Sequence, residues 1–166
     1  ILKLIPTIDD LKEKFKVERY KYLRPYNDEN YIYHRYYDNM AYKYNVYGID
    51  KGKEQYDSII MLREIRCNDS KICKIVDFIG LDEDLSQIGE ELQRLIDENS
   101  YEYIDFYCYG IDEFILDKAG FTLRDKEDNN IIPQLFEPFV QKNKEIYFFT
   151  NTLKDFHAYR GDSDQD

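Results

Sequence analysis

The sequence predicts one α+β (α/β) domain built on a mixed sheet, in which an antiparallel meander is followed by a parallel β-α-β crossover and helices cover both faces. Three observations lead to this fold class. Apolar residues alternate with period two from Tyr44 to Ile79, the period changes to 3.6 residues after Asp82, and period two returns in YIDFY, residues 103–107. Periods in this order predict antiparallel strands first and then a strand–helix–strand unit.

Residues 1–43 are predicted to form an N-terminal helical part. Thr7 is suited to cap a short helix that ends near Phe15, because Leu11 and Phe15 follow at helical spacing. A second helix is expected over YIYHRYYDNM, residues 31–40.

Residues 44–150 are predicted to form the sheet core. The segment YNVYGI and the runs Asp57–Cys67 and Lys71–Ile79 read as three strands that are separated by turns. Leu85, Ile88 and Leu92 share one face of a helix that starts at Asp82. The remaining elements are expected in this order: a strand over 101–108, a helix over 111–119 ended by Gly120, a strand over 121–124, an apolar flap that contains two prolines, and a strand over 145–150. Residues 161–166, GDSDQD, are predicted to be a disordered acidic tail, so that the domain covers residues 1–160.

Composition and charge exclude several classes of partner. The net charge of −11 argues against nucleic acid and anionic membrane surfaces, and no apolar stretch is long enough to span a membrane. The three cysteines form no C-x-x-C pair, which argues against a structural metal site and suits a cytoplasmic protein with free thiols. Because the chain begins with Ile1 rather than Met, we expect it to be part of a longer protein with a further domain before it.

Tyrosine is unusually frequent, and 11 of the 17 tyrosines lie between Tyr20 and Tyr56. Tyrosine combines a flat apolar ring with a polar hydroxyl. Such a cluster therefore suits either a partly hydrated core or a surface that binds sugar rings or a partner protein. Both alternatives are open from the sequence.

Three short motifs carry a resemblance to a known family. They are VDFIG (76–80) at the end of the third meander strand, YIDFY (103–107) after the crossover helix, and DKAGF (117–121). With this order of elements, residues 28–150 resemble the GNAT N-acyltransferase fold. The resemblance implies that the strands 71–79 and 101–108 lie side by side and then separate. It also implies that the opening admits the acyl donor, held by the backbone of Phe78, Ile79, Gly80 and Leu81.

One departure from this family concerns the cofactor. The family holds the donor pyrophosphate in a turn of the form Arg/Gln-x-x-Gly-x-Gly/Ala at the start of the crossover helix, whereas this chain has GLDEDLS over residues 80–86. Asp82, Glu83 and Asp84 would each repel a phosphate by about 1 kcal/mol in water. Acetyl-CoA and other acyl-CoA donors are therefore disfavoured, and no cofactor or metal is predicted. The three acids also fit a helix start without any ligand.

Two aspartates are the candidate catalytic groups. Strand alternation places Asp77 on a face with Cys73 and Ile75, and it places Asp105 on a face with Tyr107 and Tyr109. If the two strands are neighbours, Asp77 or Asp105 is suited to remove a proton and Tyr107 or Tyr109 to supply one. The alternative is that both aspartates only accept hydrogen bonds.

Two functions are consistent with these residues. The first is a divergent acyl- or aminoacyl-transferase, similar to Fem-type relatives of the GNAT fold, that acts on an amine of a sugar or cell-envelope precursor. The tyrosine-rich stretch and the chain end also resemble bacterial GNAT-like proteins associated with surface polysaccharides, which implies a small-molecule or carbohydrate ligand. The second function is a non-catalytic module of the same fold that binds carbohydrate or a partner protein through a tyrosine-rich face.

Overall fold

The computed structural model describes residues 1–125, 127, 129–136 and 139–163, and it shows a mixed α+β fold. The strands are β1 (Leu2–Leu4), β2 (Asn45–Ile49), β3 (Ile59–Cys67), β4 (Ser70–Ile79), β5 (Ile104–Phe106), β6 (Cys108–Tyr109), β7 (Leu135–Phe136), β8 (Phe139–Val140) and β9 (Ala158–Tyr159). The α-helices are α1 (Ile8–Lys14), α2 (Glu29–Ile32), α3 (Asp82–Leu85), α4 (Gly89–Asn99) and α5 (Glu113–Lys118). Single turns of 3-10 helix lie at Val17–Tyr20 and Arg160–Asp162, and a π-helical turn, Tyr33–Tyr37, continues α2.

The main sheet has five strands in the order β1-β2-β3-β4-β5. The pairs from β1 to β4 are antiparallel, and β5 lies parallel to β4 after the crossover through α4. The structure therefore confirms the predicted mixed sheet. The other strand pairs, β6 with β9 and β7 with β8, form two small antiparallel ribbons.

An apolar layer covers each face of the sheet. Alternation along β3 sends Ile59 and Met61 to one face and Ile60 and Leu62 to the other. The first layer contains the N-terminal helical part, with the buried residues Leu11, Phe15, Val17, Tyr20, Ile32 and Tyr36. The second layer contains α3 and α4, with the buried residues Leu85, Ile88 and Leu92.

A β-bulge interrupts the ladder between β3 and β4. Met61 is opposite Asp77 and the next residue, Leu62, is opposite Ile75, so Val76 is an extra residue in β4. A bulge of this kind re-aims the side chains that follow it. Ile75 packs in the second layer and Val76 in the first, and Asp77 contacts Tyr36 of the first layer. The prediction that Asp77 shares a face with Cys73 and Ile75 is therefore wrong, because the bulge shifts the alternation by one residue.

Side-chain caps fix the starts of α1 and α2, the first at the predicted position Thr7. Thr7 Oγ1 accepts a hydrogen bond of 3.1 Å from the backbone N–H of Asp10, and Asp28 caps α2 in the same way through Tyr31 N–H at 2.8 Å. The helix predicted from Asp82 is divided into α3 and α4, since Ser86 Oγ donates to the Glu83 carbonyl at 2.6 Å and the chain turns before Gly89.

Two predicted strands are absent from the described chain. Residues 121–124 and 145–150 have no strand pairing, although Phe121 packs on Phe106 with ring centroids 6.0 Å apart. The five-stranded sheet ends at β5, and neither segment extends it. Residues 145–150 therefore run outside the sheet, with Tyr147 81% exposed.

Candidate functional site

Strands β4 and β5 lie side by side for only a short distance. Their ladder covers three residue pairs, from Cys73 opposite Ile104 to Ile75 opposite Phe106. After β5, the chain pairs with β9 through β6, and the turn Arg160–Asp162 packs against β4. The strands are thus neighbours that separate, and residues 157–163 fill the opening between them. We call these residues the C-terminal strap.

Specific contacts hold the C-terminal strap in the opening. His157 N–H donates to the Arg24 carbonyl at 2.8 Å, and Tyr31 Oη donates to the Gly161 carbonyl at 3.1 Å. A Cβ atom at Gly161 would collide with Tyr36 Oη and lie 2.9 Å from the Val76 carbonyl oxygen, so this position requires glycine. Where the sequence predicts the start of a disordered tail, the structure orders residues 161–163; residues 164–166 lie outside the described part of the chain.

Asp77 is fully buried and lies beside Gly161 of the C-terminal strap. Its Oδ1 accepts a hydrogen bond of 2.8 Å from Phe78 N–H, and its Oδ2 accepts one of 2.6 Å from Tyr36 Oη and a longer one of 3.4 Å from Asn27 Nδ2. Burial raises the pKa of Asp77 to about 7, and the charge of Asp162 adds to this rise, while the hydrogen bonds oppose it. A carboxyl group with such a pKa is suited to accept or release a proton near neutral pH.

The strap places Asp162 at the same cavity as Asp77. Burial raises the pKa of Asp162, and hydrogen bonds from Tyr159 N–H, at 2.7 Å, and from the Asn27 side chain oppose the rise. Asn27 thus contacts both carboxyl groups. The negative charge of either carboxylate disfavours ionisation of the other, so the titrations of the two groups depend on each other.

A small cavity opens onto this carboxyl pair. Its volume is about 20 Å³, which is enough for one water molecule or one group of similar size. The residues that line it come from the segment before α2, from the end of β4 and from the strap: Tyr20, Leu23, Pro25, Tyr26, Asn27, Asp77, Phe78, Ile79, His157, Tyr159 and Asp162. His157 Nε2 also lies 3.4 Å from Asp82 Oδ2. The lining of the cavity therefore combines the carboxyl pair with His157 and with residues of the N-terminal part.

Asp105 lies on the same side of the sheet as Asp77 but has a different partner. Arg160 Nη2 is 3.3 Å from Asp105 Oδ2, and only 1% of the Arg160 side chain is exposed. Burial raises the pKa of Asp105 although the charges of Arg160 and Lys74 oppose the rise. Asp105 is opposite Lys74, so it lies three residues, or roughly 10 Å, along β4 from Asp77. The two aspartates are not brought together.

The two tyrosines predicted as acids lie outside the lining of the cavity. The Tyr107 ring is 4.4 Å from the Arg160 guanidinium carbon, a cation–π arrangement. Tyr109 is 44% exposed and packs edge-on against Phe148, with ring centroids 5.0 Å apart. Tyr107 therefore supports the strap through Arg160, and Tyr109 contacts the segment that leads to it.

The residues predicted to hold a donor are engaged within the chain. The side chains of Phe78 and Ile79 are buried, and Leu81 N–H donates to Ser58 Oγ at 2.9 Å. Gly80 packs so closely on Ser58 that an added Cβ atom would overlap its side chain. Asp84, one of the three acids of this turn, accepts from Ser58 Oγ at 2.7 Å and from Lys51 Nζ at 2.8 Å. Ser58 and Asp84 thus fix the turn from inside the protein.

The tyrosine cluster is mainly part of the first apolar layer. Tyr20, Tyr36 and Tyr44 are buried there, and five further tyrosines pack against them: Tyr26, Tyr31, Tyr37, Tyr42 and Tyr56. A groove of about 540 Å³ runs along the outer side of this cluster between residues 4–6 and 36–46. The guanidinium carbon of Arg63 lies 3.5 Å from the centroid of the Tyr42 ring beside it, and Met40 is fully exposed.

Four residues of the site were missed or given no role from the sequence. Asn27, Tyr36 and His157 carry no local signal that links them to Asp77, since they come from distant parts of the chain. Asp162 stands in a short acidic sequence that resembles a solvated tail. The π-helical turn that contains Tyr36 is a feature often found at functional sites, but its sequence gives no warning of it.

Comparisons with known proteins add no relationship: no family model, no curated protein and no solved structure matches this chain. Within the described ranges, no helix is both long and apolar enough to cross a membrane. The same ranges contain no group of three or more His, Cys, Asp or Glu side chains arranged to hold a metal ion. The fold and the buried carboxyl pair therefore define the protein as a mixed α+β domain with a candidate proton-transfer site.

Proposed function

We propose that the domain is a divergent GNAT-type acyl- or aminoacyl-transferase that acts on an amine of a sugar or cell-envelope precursor, with Asp77 as the proton acceptor. The single observation that carries this proposal is the environment of Asp77. A fully buried carboxyl group with a pKa of about 7 opens onto a cavity that fits one nitrogen- or oxygen-sized group. A general base works best when its pKa is near the working pH.

In the proposed reaction, the acceptor nitrogen occupies the cavity and attacks the acyl carbon of the donor. The new C–N bond forms as the bond from the acyl carbon to the leaving group breaks, and the acceptor proton moves to Asp77 Oδ2. The hydroxyl of Tyr36 and the amide of Asn27 hold this oxygen in place. Asp77 then returns the proton to the leaving group, so that the carboxylate is restored.

The arrangement of β4 and β5 supports the GNAT-type part of the proposal. An antiparallel meander leads into a parallel strand that separates from it, and the carboxyl pair lies at the point of separation. Ligands of such sheets bind near the carboxyl ends of parallel strands. The engaged turn 80–84 argues for a donor other than an ordinary acyl-CoA, since its acids and its Ser58 contacts occupy the place of a phosphate loop.

Asp77→Asn should abolish turnover, because Asn fills the same volume without accepting a proton. We expect a loss of about 10²- to 10⁴-fold in the rate of acyl transfer to amino sugars, measured by mass spectrometry with acyl-CoA and aminoacyl donors. Asp97→Asn is the matched control, since Asp97 is exposed on α4 and its carboxylate accepts a hydrogen bond from the Gln93 side chain on the same helix. Wild-type turnover in the Asp77 variant would remove Asp77 from the reaction.

One observation favours a second candidate, the non-catalytic binding module. The groove beside the tyrosine cluster is far larger than the cavity at Asp77, and its walls include Tyr37 and Tyr42. Aromatic walls of this kind stack on sugar rings. In this function the groove binds an oligosaccharide, and the carboxyl pair only stabilises the strap.

A thermal-shift panel separates the two candidates. Ligand at about 100 times its dissociation constant stabilises the folded protein by roughly 2.7 kcal/mol, which a melting curve detects. A shift with amino-sugar acceptors or acyl donors that Asp77→Asn removes supports the transferase. A shift with neutral oligosaccharides that Tyr42→Ala removes and Asp77→Asn retains supports the binding module.

A further inference from the structure

The C-terminal strap is more than a cover for the opening between β4 and β5. It places a carboxyl group, that of Asp162, beside a buried carboxyl group to which Asn27 already donates a hydrogen bond. Asp77 and Asp162 line the same cavity, although they belong to distant segments of the chain. Docking of the strap therefore decides whether Asp77 has an acidic neighbour.

The contacts on both sides of Asp162 make this placement specific. The Arg160 side chain is buried and pairs with Asp105 of β5. Gly161 packs closely against Tyr36 Oη and the Val76 carbonyl. Asp162 then turns back, so that its Oδ2 accepts from Tyr159 N–H at 2.7 Å. A shift of the strap by one residue would put Gly161 or Ser163 where Asp162 now stands.

The charged and titratable groups around Asp77 come from every element that packs on it. The segment that ends in the π-helical turn supplies Tyr31, Tyr36 and Arg35, and only Arg35 carries a charge that favours the ionised carboxylate. The strap supplies Asp162, Tyr159 and His157. Of these neighbours, Asp162 is the one whose negative charge acts directly against ionisation of Asp77.

We propose that Asp162 is a positioning residue of the Asp77 site: by docking, the C-terminal strap supplies the second carboxyl group with which Asp77 shares one proton, and this sharing keeps the proton on the pair at neutral pH. The inference rests on the proposed function to the extent that both assign the exchangeable proton to Asp77. It adds that the site is complete only while the strap is docked.

The test follows the Asp77 carboxyl carbon by 13C NMR through a pH titration of the full chain. Wild-type protein should titrate at about pH 7. In Asp162→Asn we expect the midpoint to move to lower pH by about one unit, a tenfold loss of proton affinity, because the like charge is gone. Asp162→Glu keeps the charge and should stay close to wild type.

Two further variants separate this role from a structural one. Asp155→Asn removes a carboxyl group just before the strap, at a positive φ that Asn tolerates, and should leave the midpoint unchanged. Gly161→Val should expel the strap by steric overlap, which would lower the midpoint and expose the amides of residues 157–163 to hydrogen exchange.

The outcomes distinguish the inference from the proposed function. An Asp162→Asn midpoint equal to that of wild type overturns the role of Asp162 and leaves Asp77 as the base. A wild-type midpoint near that of an ordinary carboxyl group removes the basis of the proposed function. A midpoint that also moves in Asp155→Asn shows a general charge effect and overturns the specific sharing.

Discussion

Replacing Asp77 with Asn should make the protein more stable at pH 8 by on the order of 4 kcal/mol while leaving its stability at pH 4 nearly unchanged. The pKa of Asp77 rises from 3.8 to about 7 on folding. Each unit of difference between the folded and unfolded pKa corresponds to about 1.4 kcal/mol of stability. The wild-type protein bears this cost because the buried carboxyl group loses its hydration.

The sign follows from the direction of the shift. A carboxyl group with a raised pKa favours the folded state fully below its unfolded pKa, and this contribution is lost as the pH rises through the folded pKa near 7. Asn resembles the protonated acid and does not titrate. The advantage of the variant should therefore grow between pH 4 and pH 7 and then stay constant.

Urea unfolding at several pH values between 4 and 8 measures this difference, with Asp97→Asn as the surface control. A constant difference between wild type and Asp77→Asn across the series would contradict the raised pKa. With the expected loss of turnover, a gain in stability would show that the protein retains a destabilising group at its candidate site.

Arg160→Leu should destabilise the protein by about 3–5 kcal/mol, because it removes the guanidinium group that pairs with the buried carboxyl group of Asp105. The Arg160 guanidinium also contacts the Gln134 carbonyl at 3.3 Å and the Tyr107 ring, and these contacts would be lost with it. Denaturant unfolding at pH 7 gives the free energy of unfolding for each variant.

The double variant Arg160→Leu with Asp105→Leu tests the origin of this loss. Two apolar side chains of similar volume remove the stranded charge, so most of the lost stability should return. Arg94→Leu is the control, since Arg94 pairs with Glu91 in solvent on α4 and should change stability little. A double variant as unstable as Arg160→Leu would show that packing, and not the charge pair, dominates at this position.

Regular elements with a clear period were predictable from the sequence. The long strands β3 and β4 and the helix α4 follow from the spacing of their apolar residues, and Thr7 marks the start of α1. The parallel pairing of β5 with β4 follows from the helix between them. The strap was not predictable, because β9 contains only two residues and its pairing with β6 joins distant parts of the chain.

The candidate site was predictable only in part for the same reason. Asp77 stands out as a carboxylate within an apolar strand, a signal that needs no partner. Its orientation depends on the bulge, and its neighbours Asn27, Tyr36 and Asp162 reach it through long-range packing. Asp105 was identified from its place on a strand face with Tyr107 and Tyr109, but its partner Arg160 lies in a segment without a period.

The bulge at Val76 makes the direction of the Asp77 side chain depend on the register of the ladder between β3 and β4. Exchanging Val76 for another apolar residue would preserve the direction of the following carboxyl group. If the ladder ran through Val76 without the bulge, Val76 would lie opposite Met61 and Asp77 opposite Ile60, so that the carboxyl group would face the second layer, away from Tyr36 and Asn27.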